Sequence, residues 1–352
     1  MKKLHIIFSC CVVFAILLGC TKEEGVYAEI NTSKGKIIAF LEFEKVPLSV
    51  ANFVGLAEGT IENASYPLGT PYYDGSVIHR VEEGHVIQGG SPSGENNKGT
   101  GYKFPNEIHP GLSHNKAGML NFANGGPHTN SDQWCITLGD RSYLDGDYIV
   151  FGRVTEGMDV LYRIEKGDVF ESIEIIRKGK KAKAFQPNTE MFEMLIEKQW
   201  EKVNKLDQEK KGREEAIIQE RWPDAIVASA GYRFRVLKEG QGENVKTGSV
   251  LNVKYKGELF NGLHFVSSSS NGNPSFGEEA QLFAYEVGES RLVAALDDAI
   301  QDMKVGETRI LIVPSELGYG RSGFYGKNIP GSKRFVISPN TTIIYALELV
   351  DQ

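Results

Sequence analysis

Arg80 and Gln88 sit close together in the stretch 72–92, YYDGSVIHRVEEGHVIQGGSP, and between them they can act on a peptide without moving a proton. A guanidinium is a permanently charged planar fork with five donors, and a primary amide offers both a donor and an acceptor. Val77-Ile78 and Val86-Ile87 are short apolar runs of β type. The first is entered from Asp74-Gly75 and the second closes on Gly89-Gly90, which reads as two strands joined by a tight connection. That arrangement presents Arg80 and Gln88 on one surface. By themselves these residues also fit an ordinary hairpin with a surface arginine.

Other chemistry is poorly supported. The histidines at 79, 85, 109, 114, 128 and 264 follow neither HExxH nor another ligand spacing, so no metal and no cofactor is expected. His79, beside Arg80, reads as a structural hydrogen-bonder and not as a base. Cys135 lacks a nucleophile signature. Ser267 to Ser270 lack the Gly-x-Ser-x-Gly elbow of a hydrolase. Gly318-Tyr319-Gly320-Arg321-Ser322-Gly323 fits GxGxxG, yet no helical pattern follows it, which argues against a dinucleotide site.

The chain of 352 residues exceeds one ordinary domain, and 41% hydrophobic with 24% charged residues is a globular composition. A formal charge of −7 and the lack of a basic stripe argue against nucleic acid as a partner. Lys2-Lys3, an apolar run from Ile6 to Leu18 and Gly19-Cys20 read as an export signal too short for a membrane span. Leu17-Leu18-Gly19-Cys20 resembles a bacterial lipobox, which implies lipidation of Cys20, a membrane anchor at that residue and a place in the cell envelope, on the periplasmic face or outer surface. With Cys10 and Cys11 in the signal and Cys20 acylated, only Cys135 remains as a thiol, and no disulfide framework is possible within one chain.

The positioning elements follow from pattern. Tyr27 to Ile30 and Lys36 to Glu42 read as strands around a Ser33-Lys34-Gly35 turn. Pro47, the apolar positions Val50, Phe53, Val54 and Ala57, and then Gly59 mark an amphipathic helix with proline and glycine at its expected ends. From Thr189 to Trp222 a charged helix is expected, capped by Asn188 or Thr189, interrupted around Lys211-Gly212-Arg213 and packed by its apolar stripe on a neighbouring domain. Ala225 to Gln352 is mostly β, with alternation at Leu251, Val253 and Tyr255 and one helix capped by Ser290.

Two resemblances sharpen this reading. Ile78-His79-Arg80-Val81 with Ile87-Gln88-Gly89-Gly90-Ser91-Pro92 resembles the active-site signature of the cyclophilins, which are peptidyl-prolyl cis/trans isomerases. The match continues through Gly99-Thr100-Gly101, Phe104, Glu107, the run 118–124, 133–136, Leu144-Asp145-Gly146 and Val150-Phe151-Gly152. Tyr255-Lys256-Gly257, the run 262–268, Phe283-Ala284-Tyr285, the runs 303–307 and 314–320, and a closing strand at Ile343 to Leu349 resemble the FKBP family, the other large class of prolyl isomerases.

The fold class implied is mainly β with few helices (α+β): a closed antiparallel cyclophilin-like barrel, a helical linker, and an FKBP-like antiparallel sheet wrapped around one helix. The divisions expected are 1–19 signal, 20–25 tether, 26–178 first domain, 179–222 linker and 223–352 second domain. The cyclophilin resemblance implies Arg80 and Gln88 as catalytic residues. It implies substrate contacts from His79, His85, Val86, Ala123, Asn124, Gln133, Cys135, Tyr143, Leu144 and Tyr148. Family members place Phe at the positions of His85 and Cys135, Trp at Tyr143 and His at Tyr148, so this pocket is expected to be roomier and more polar, with weaker catalysis and poor cyclosporin binding. The FKBP resemblance implies a pocket of Tyr255, Phe265, Phe283, Leu292, Val293, Leu296, Tyr319, Val336, Ile337 and Tyr345. There the family's Asp is Val266 and its usual Trp is Leu296, which also weakens activity.

The function expected is an envelope peptidyl-prolyl isomerase that binds proline-containing polypeptides and assists the folding of exported proteins, as a monomer. The alternative is a proline-peptide-binding chaperone or surface adhesion lipoprotein with little turnover.

Overall fold

The computed structural model describes residues 23–92, 99–260, 262–266, 274, 280–325 and 335–350. Cys20 and the stretch expected to be an export signal lie outside the described residues. β1 (Gly25–Thr32) and β2 (Gly35–Leu41) form the hairpin that the Ser33-Lys34-Gly35 turn predicts, with Thr32 opposite Gly35. α1 (Pro47–Glu58) starts on its proline and ends on Gly59 in the left-handed region at φ 68. No side chain of its own caps the start. Instead the buried Glu107 carboxylate accepts from Leu48 N (3.2 Å), Ser49 N (2.8 Å) and Ser49 Oγ (2.9 Å), filling the orphan donors of the first turn from across the domain.

β3 (Ser76–Val77), β4 (Arg80–Glu82), β5 (Val86–Gly89), β6 (Met119–Phe122), β7 (Trp134–Thr137), β8 (Val150–Glu156) and β9 (Val169–Lys178) complete the first sheet. Between β8 and β9 lies the short α2 (Met158–Leu161). The nine strands run β3-β9-β1-β2-β8-β6-β7-β5-β4, and the two ends share no ladder, so the barrel is open and not closed as expected. The cause is local. Ile78 N donates to Asp168 O (2.8 Å) and Ile78 O accepts from Gly167 N (3.0 Å), so the chain stays tied to the β9 side before it leaves through His79 to start β4. The curled sheet is thus joined at its ends by covalent chain and not by a ladder.

The hairpin expectation needs a second correction. Val77 pairs with Val169 of β9, and the partner of β5 is Arg80–Glu82 instead of Val77-Ile78. This shift sets Arg80 directly opposite Gln88. One face of the sheet, with Ile87, Leu120, Phe122, Trp134 and Ile136, packs with Phe53 of α1, Phe151 and Phe170 in a single core.

α3 (Lys180–Ala184) is followed by α4 (Thr189–Arg221), whose first turn is capped by Asn188 Oδ1 accepting from Met191 N (2.9 Å). Ala182, Phe185 and Phe192 belong to the first core. α4 runs unbroken through Gly212, contrary to expectation. A helical glycine costs only about 1 kcal/mol, and bonds on both sides of it hold the helix: Lys210 to Asn340 O (2.7 Å), Lys211 to Glu316 (3.2 Å), Thr342 to Glu214 (2.7 Å) and Arg233 to Glu215 (2.8 Å).

The second region contains β10 (Ile226–Val227), β11 (Arg233–Lys238), β12 (Val250–Leu259), β13 (His264–Val266), β14 (Phe283–Glu286), α5 (Ala294–Gln301), β15 (Thr308–Val313), β16 (Phe324–Tyr325), β17 (Phe335–Ile337) and β18 (Ile343–Val350). A seven-stranded antiparallel sheet is ordered β10-β11-β15-β18-β12-β13, with β14 also on β12. The alternate residues Leu251, Val253 and Tyr255 of β12 and Ile343, Tyr345, Leu347 and Leu349 of β18 share a core with Ala295, Leu296, Ala299 and Ile300 of α5. α5 begins at Ala294, later than the Ser290 cap predicts. Ser290 has φ 53, and the Asp297 side chain accepts from Leu292 N (3.4 Å) at the entry to the helix. Gly257 lies opposite Phe265, where a Cβ would run into the Phe265 ring, so the glycine lets the aromatic cross the strand.

Candidate active site

Directly opposed residues of an antiparallel ladder share a face. Arg80 opposes Gln88, Gln88 opposes Cys135 and Cys135 opposes Asn121, a row across β4, β5, β7 and β6 on the face turned away from the core. Two residues along each strand, Glu82, Val86 and Gln133 join that face. Arg80 Nη1 donates to Gln88 Oε1 (3.1 Å), and Gln88 Nε2 donates to Gln133 Oε1 (2.8 Å). The arginine, both glutamines, Val86 and Cys135 are therefore assembled into one patch. Arg80 is also ion-paired with Glu82, a partner the sequence reading missed although the i, i+2 spacing on a strand signals it.

The two departures from the family pattern at the pocket edge complement each other. His85 Nε2 lies 2.6 Å from Tyr143 Oη with the two rings nearly parallel, 11° apart, and His85 Nδ1 lies 3.3 Å from Glu82. Partial burial keeps the His85 pKa below its ordinary value, against the pull of Glu82. Val86 and Cys135 are buried, and Leu144, at the end of the turn Ser142–Leu144, is half-buried. Burial pushes the Cys135 thiol up to about 12, with Arg80 pulling the other way, so at neutral pH it is a small apolar filler and not a nucleophile. His79 is exposed and its ring holds no hydrogen bond among the described residues, so the structural role expected for it is not seen. Desolvation and then the Arg80 charge hold its pKa low.

The far rim is the loop after β6. Ala123 N donates to Gln133 O (2.9 Å), tying the loop to the Arg80 patch. The Asn124 amide is engaged within the loop: Nδ2 donates to Asp147 O (3.1 Å) and Asn130 Oδ1 (3.3 Å), and Oδ1 accepts from Gly126 N (3.2 Å). Tyr148 is half-buried beside it, its N–H donating to Leu144 O (3.1 Å). A cavity of about 710 Å³ lies elsewhere, lined by residues such as Glu23, Phe40, Glu42, Leu112, Met119 and Arg153, and it includes neither Arg80 nor Gln88.

In the second region all ten expected residues fall in one apolar cluster. Tyr255, Phe265, Leu296, Val336, Ile337 and Tyr345 are buried, with Phe283, Leu292, Val293 and Tyr319 packed against them. Tyr255 lies 5.9 Å from Phe283 and 5.8 Å from Tyr345 between ring centroids, and Phe265 lies 6.0 Å from Tyr345. Burial pushes the Tyr319 hydroxyl up to about 12, so it remains a neutral donor. The segment 326–334, next to Val336, lies outside the described residues.

Comparison with known proteins agrees with both halves. Residues 27–183 match the family model of cyclophilin type peptidyl-prolyl cis-trans isomerases, and residues 241–350 match that of FKBP-type peptidyl-prolyl cis-trans isomerases. The chain is 47% identical over 133 residues to the Probable peptidyl-prolyl cis-trans isomerase A of Mycobacterium leprae, covering 37% of this chain and 73% of that protein. It is 45% identical over 140 residues to Peptidyl-prolyl cis-trans isomerase ppi1 of Schizosaccharomyces pombe, covering 39% of this chain and 83% of that protein. A cyclophilin-type isomerase structure from Cryptosporidium parvum aligns at 26% identity and a TM-score of 0.38, over 44% of this chain and 99% of that one. This chain belongs to the cyclophilin-type peptidyl-prolyl cis-trans isomerase family, and an FKBP-type isomerase region follows within the same polypeptide.

Proposed function

We propose that the first cleft isomerises X-Pro bonds in exported polypeptides, with Arg80 as the catalytic donor and Gln88 orienting the substrate. The imide rotates over a barrier of about 18–20 kcal/mol because resonance stabilises its planar forms. Twisting localises the lone pair on the prolyl nitrogen, so a fixed donor aimed there binds the twisted state selectively. About 6 kcal/mol of such preference is worth roughly 10⁴-fold. This mechanism needs no proton transfer.

The observation that carries this reading is the ladder row that sets Arg80, Gln88 and Cys135 side by side, with Gln133 bonded to Gln88. The proline ring would sit over Val86, Cys135 and Leu144, with His85 and Tyr143 at the edge and Ala123 and Asn124 beside the backbone. His85 and Cys135 make that seat smaller in aromatic area and more polar than the family's, which favours reduced turnover here. The second cleft would cradle proline among Tyr255, Phe283, Tyr319 and Tyr345. The lipobox pattern at Cys20 supports a lipid-anchored protein of the cell envelope, where folding aid without ATP suits slow X-Pro steps.

The test is proline-isomerisation turnover of the full chain, of Arg80→Ala, of Tyr319→Phe and of the double variant. Arg80→Ala is expected to lower the first cleft's turnover on the order of 100-fold with the fold intact. Unchanged turnover in the double variant would remove both assignments. Peptide binding without turnover in the wild type would favour the second reading, a proline-peptide-binding chaperone or adhesion lipoprotein, to which the His85 and Cys135 replacements already point.

A further inference from the structure

We propose that Gln199 and Trp200 of α4, outside the first sheet and its cleft, are positioning residues that hold the peptide loop 123–130 of the first cleft in its binding geometry. The inference rests on the reading that this loop contacts the substrate backbone. Gln199 Nε2 donates to Asn106 O at 2.7 Å. Asn106 is a junction: its N–H donates to His128 Nδ1 (3.1 Å), and its Oδ1 accepts from His128 N (3.0 Å) and Asn130 Nδ2 (2.7 Å). Its Nδ2 donates to Asp147 O (3.2 Å), the same carbonyl that accepts from Asn124 Nδ2 (3.1 Å). One chain of hydrogen bonds therefore runs from the helix through Asn106 to both ends of the loop.

Backbone geometry explains why an outside brace is needed. His128 has φ 61, a left-handed conformation that a residue with a Cβ adopts only when its surroundings impose it. Gly125 and Gly126 precede it and add no rigidity of their own. Asn106 grips His128 from both backbone and side chain, and the Trp200 ring covers the imidazole with centroids 5.1 Å apart. Further along, Lys210 and Glu214 bind Asn340 and Thr342 of the second region. α4 is thus anchored at both ends while it supports the loop.

The experiment uses the full chain and a short X-Pro peptide, and follows the part of turnover lost in Arg80→Ala. Gln199→Glu keeps the size and loses the donor, and it is expected to raise KM about three- to tenfold with kcat within about twofold. Gln199→Lys restores an N–H donor and is expected to return KM to within about twofold of the parent. Amide hydrogen exchange at residues 125–130 reads the same loop without any turnover and is expected to quicken in Gln199→Glu and in Trp200→Phe, but not in Gln199→Lys. Unchanged exchange in Gln199→Glu, or equal quickening in Gln199→Lys, overturns the proposal. A wild type with no Arg80-dependent turnover would count against the catalytic reading alone, since exchange still decides this one.

Discussion

The two proposed sites are built on opposite principles. In the first region the Arg80, Gln88, Cys135 row lies on the sheet face turned away from the aromatic core of Phe53, Phe122, Trp134 and Phe151. In the second, the residues proposed to cradle proline, among them Phe265, Leu296, Ile337 and Tyr345, are themselves the core. A site laid on the outside of a hydrogen-bonded ladder can exchange side chains at little cost to folding. A site made of core side chains cannot, because every substitution there also removes packing.

The largest expected break is Phe265→Ala. It removes a fully buried ring packed on Tyr345 and over Gly257, and should cost about 3–5 kcal/mol along with binding at the second cleft. A urea titration checks this beside Arg80→Ala, which is exposed and should shift stability by less than about 1 kcal/mol. Equal losses in the two variants would erase the distinction drawn between the clefts.

Cys135→Phe tests the same contrast from the other side. A ring in place of the buried thiol adds apolar area to the outer pocket, so KM for an X-Pro peptide should fall several-fold, while overpacking costs no more than about 1–3 kcal/mol. A rise in KM would mean that the pocket floor lies somewhere other than Cys135.

The smallest effect is acid sensitivity of the loop. Burial holds the His128 pKa low, with Asp207 of α4 raising it and Arg321 lowering it, and its neutral Nδ1 accepts from Asn106 N. A depressed folded pKa means that the stability this ring supports is whole above its ordinary value of about 6.5 and is lost as the pH falls through the folded value. His128→Asn keeps an acceptor in a residue that tolerates left-handed backbone. Its melting temperature should therefore fall less than the wild type's between about pH 7 and about pH 5. Glu107 and Asp74, whose pKa values burial raises, are common to both proteins and drop out of the difference.

Local signals carried far into this fold. Ser33-Lys34-Gly35 specified the β1–β2 turn, and Pro47 and Gly59 the two ends of α1, because proline and glycine act on their own backbone. Alternation at Leu251, Val253 and Tyr255 marked the inner face of β12 for the same kind of reason. The partner of β5 was not legible. Val77-Ile78 is the more apolar run, yet bonds from Ile78 to Gly167 and Asp168 draw it to β9 and leave Arg80–Glu82 for Gln88. Nor was the continuity of α4 through Gly212 legible, since three of the four bonds that hold it come from residues more than a hundred positions away.

Residue chemistry in one short stretch was enough to single out Arg80 and Gln88, because side-chain chemistry is a property of short stretches, while Gln133 and the aromatic set of the second region came from the resemblance of longer runs to two known families. Tertiary structure alone decided that Arg80 faces Gln88 directly, that His85 and Tyr143 bond to one another, and that a helix far along the chain braces the loop at His128. Each of these is a contact between segments whose meeting depends on how the whole sheet curls, and no local propensity encodes that curvature.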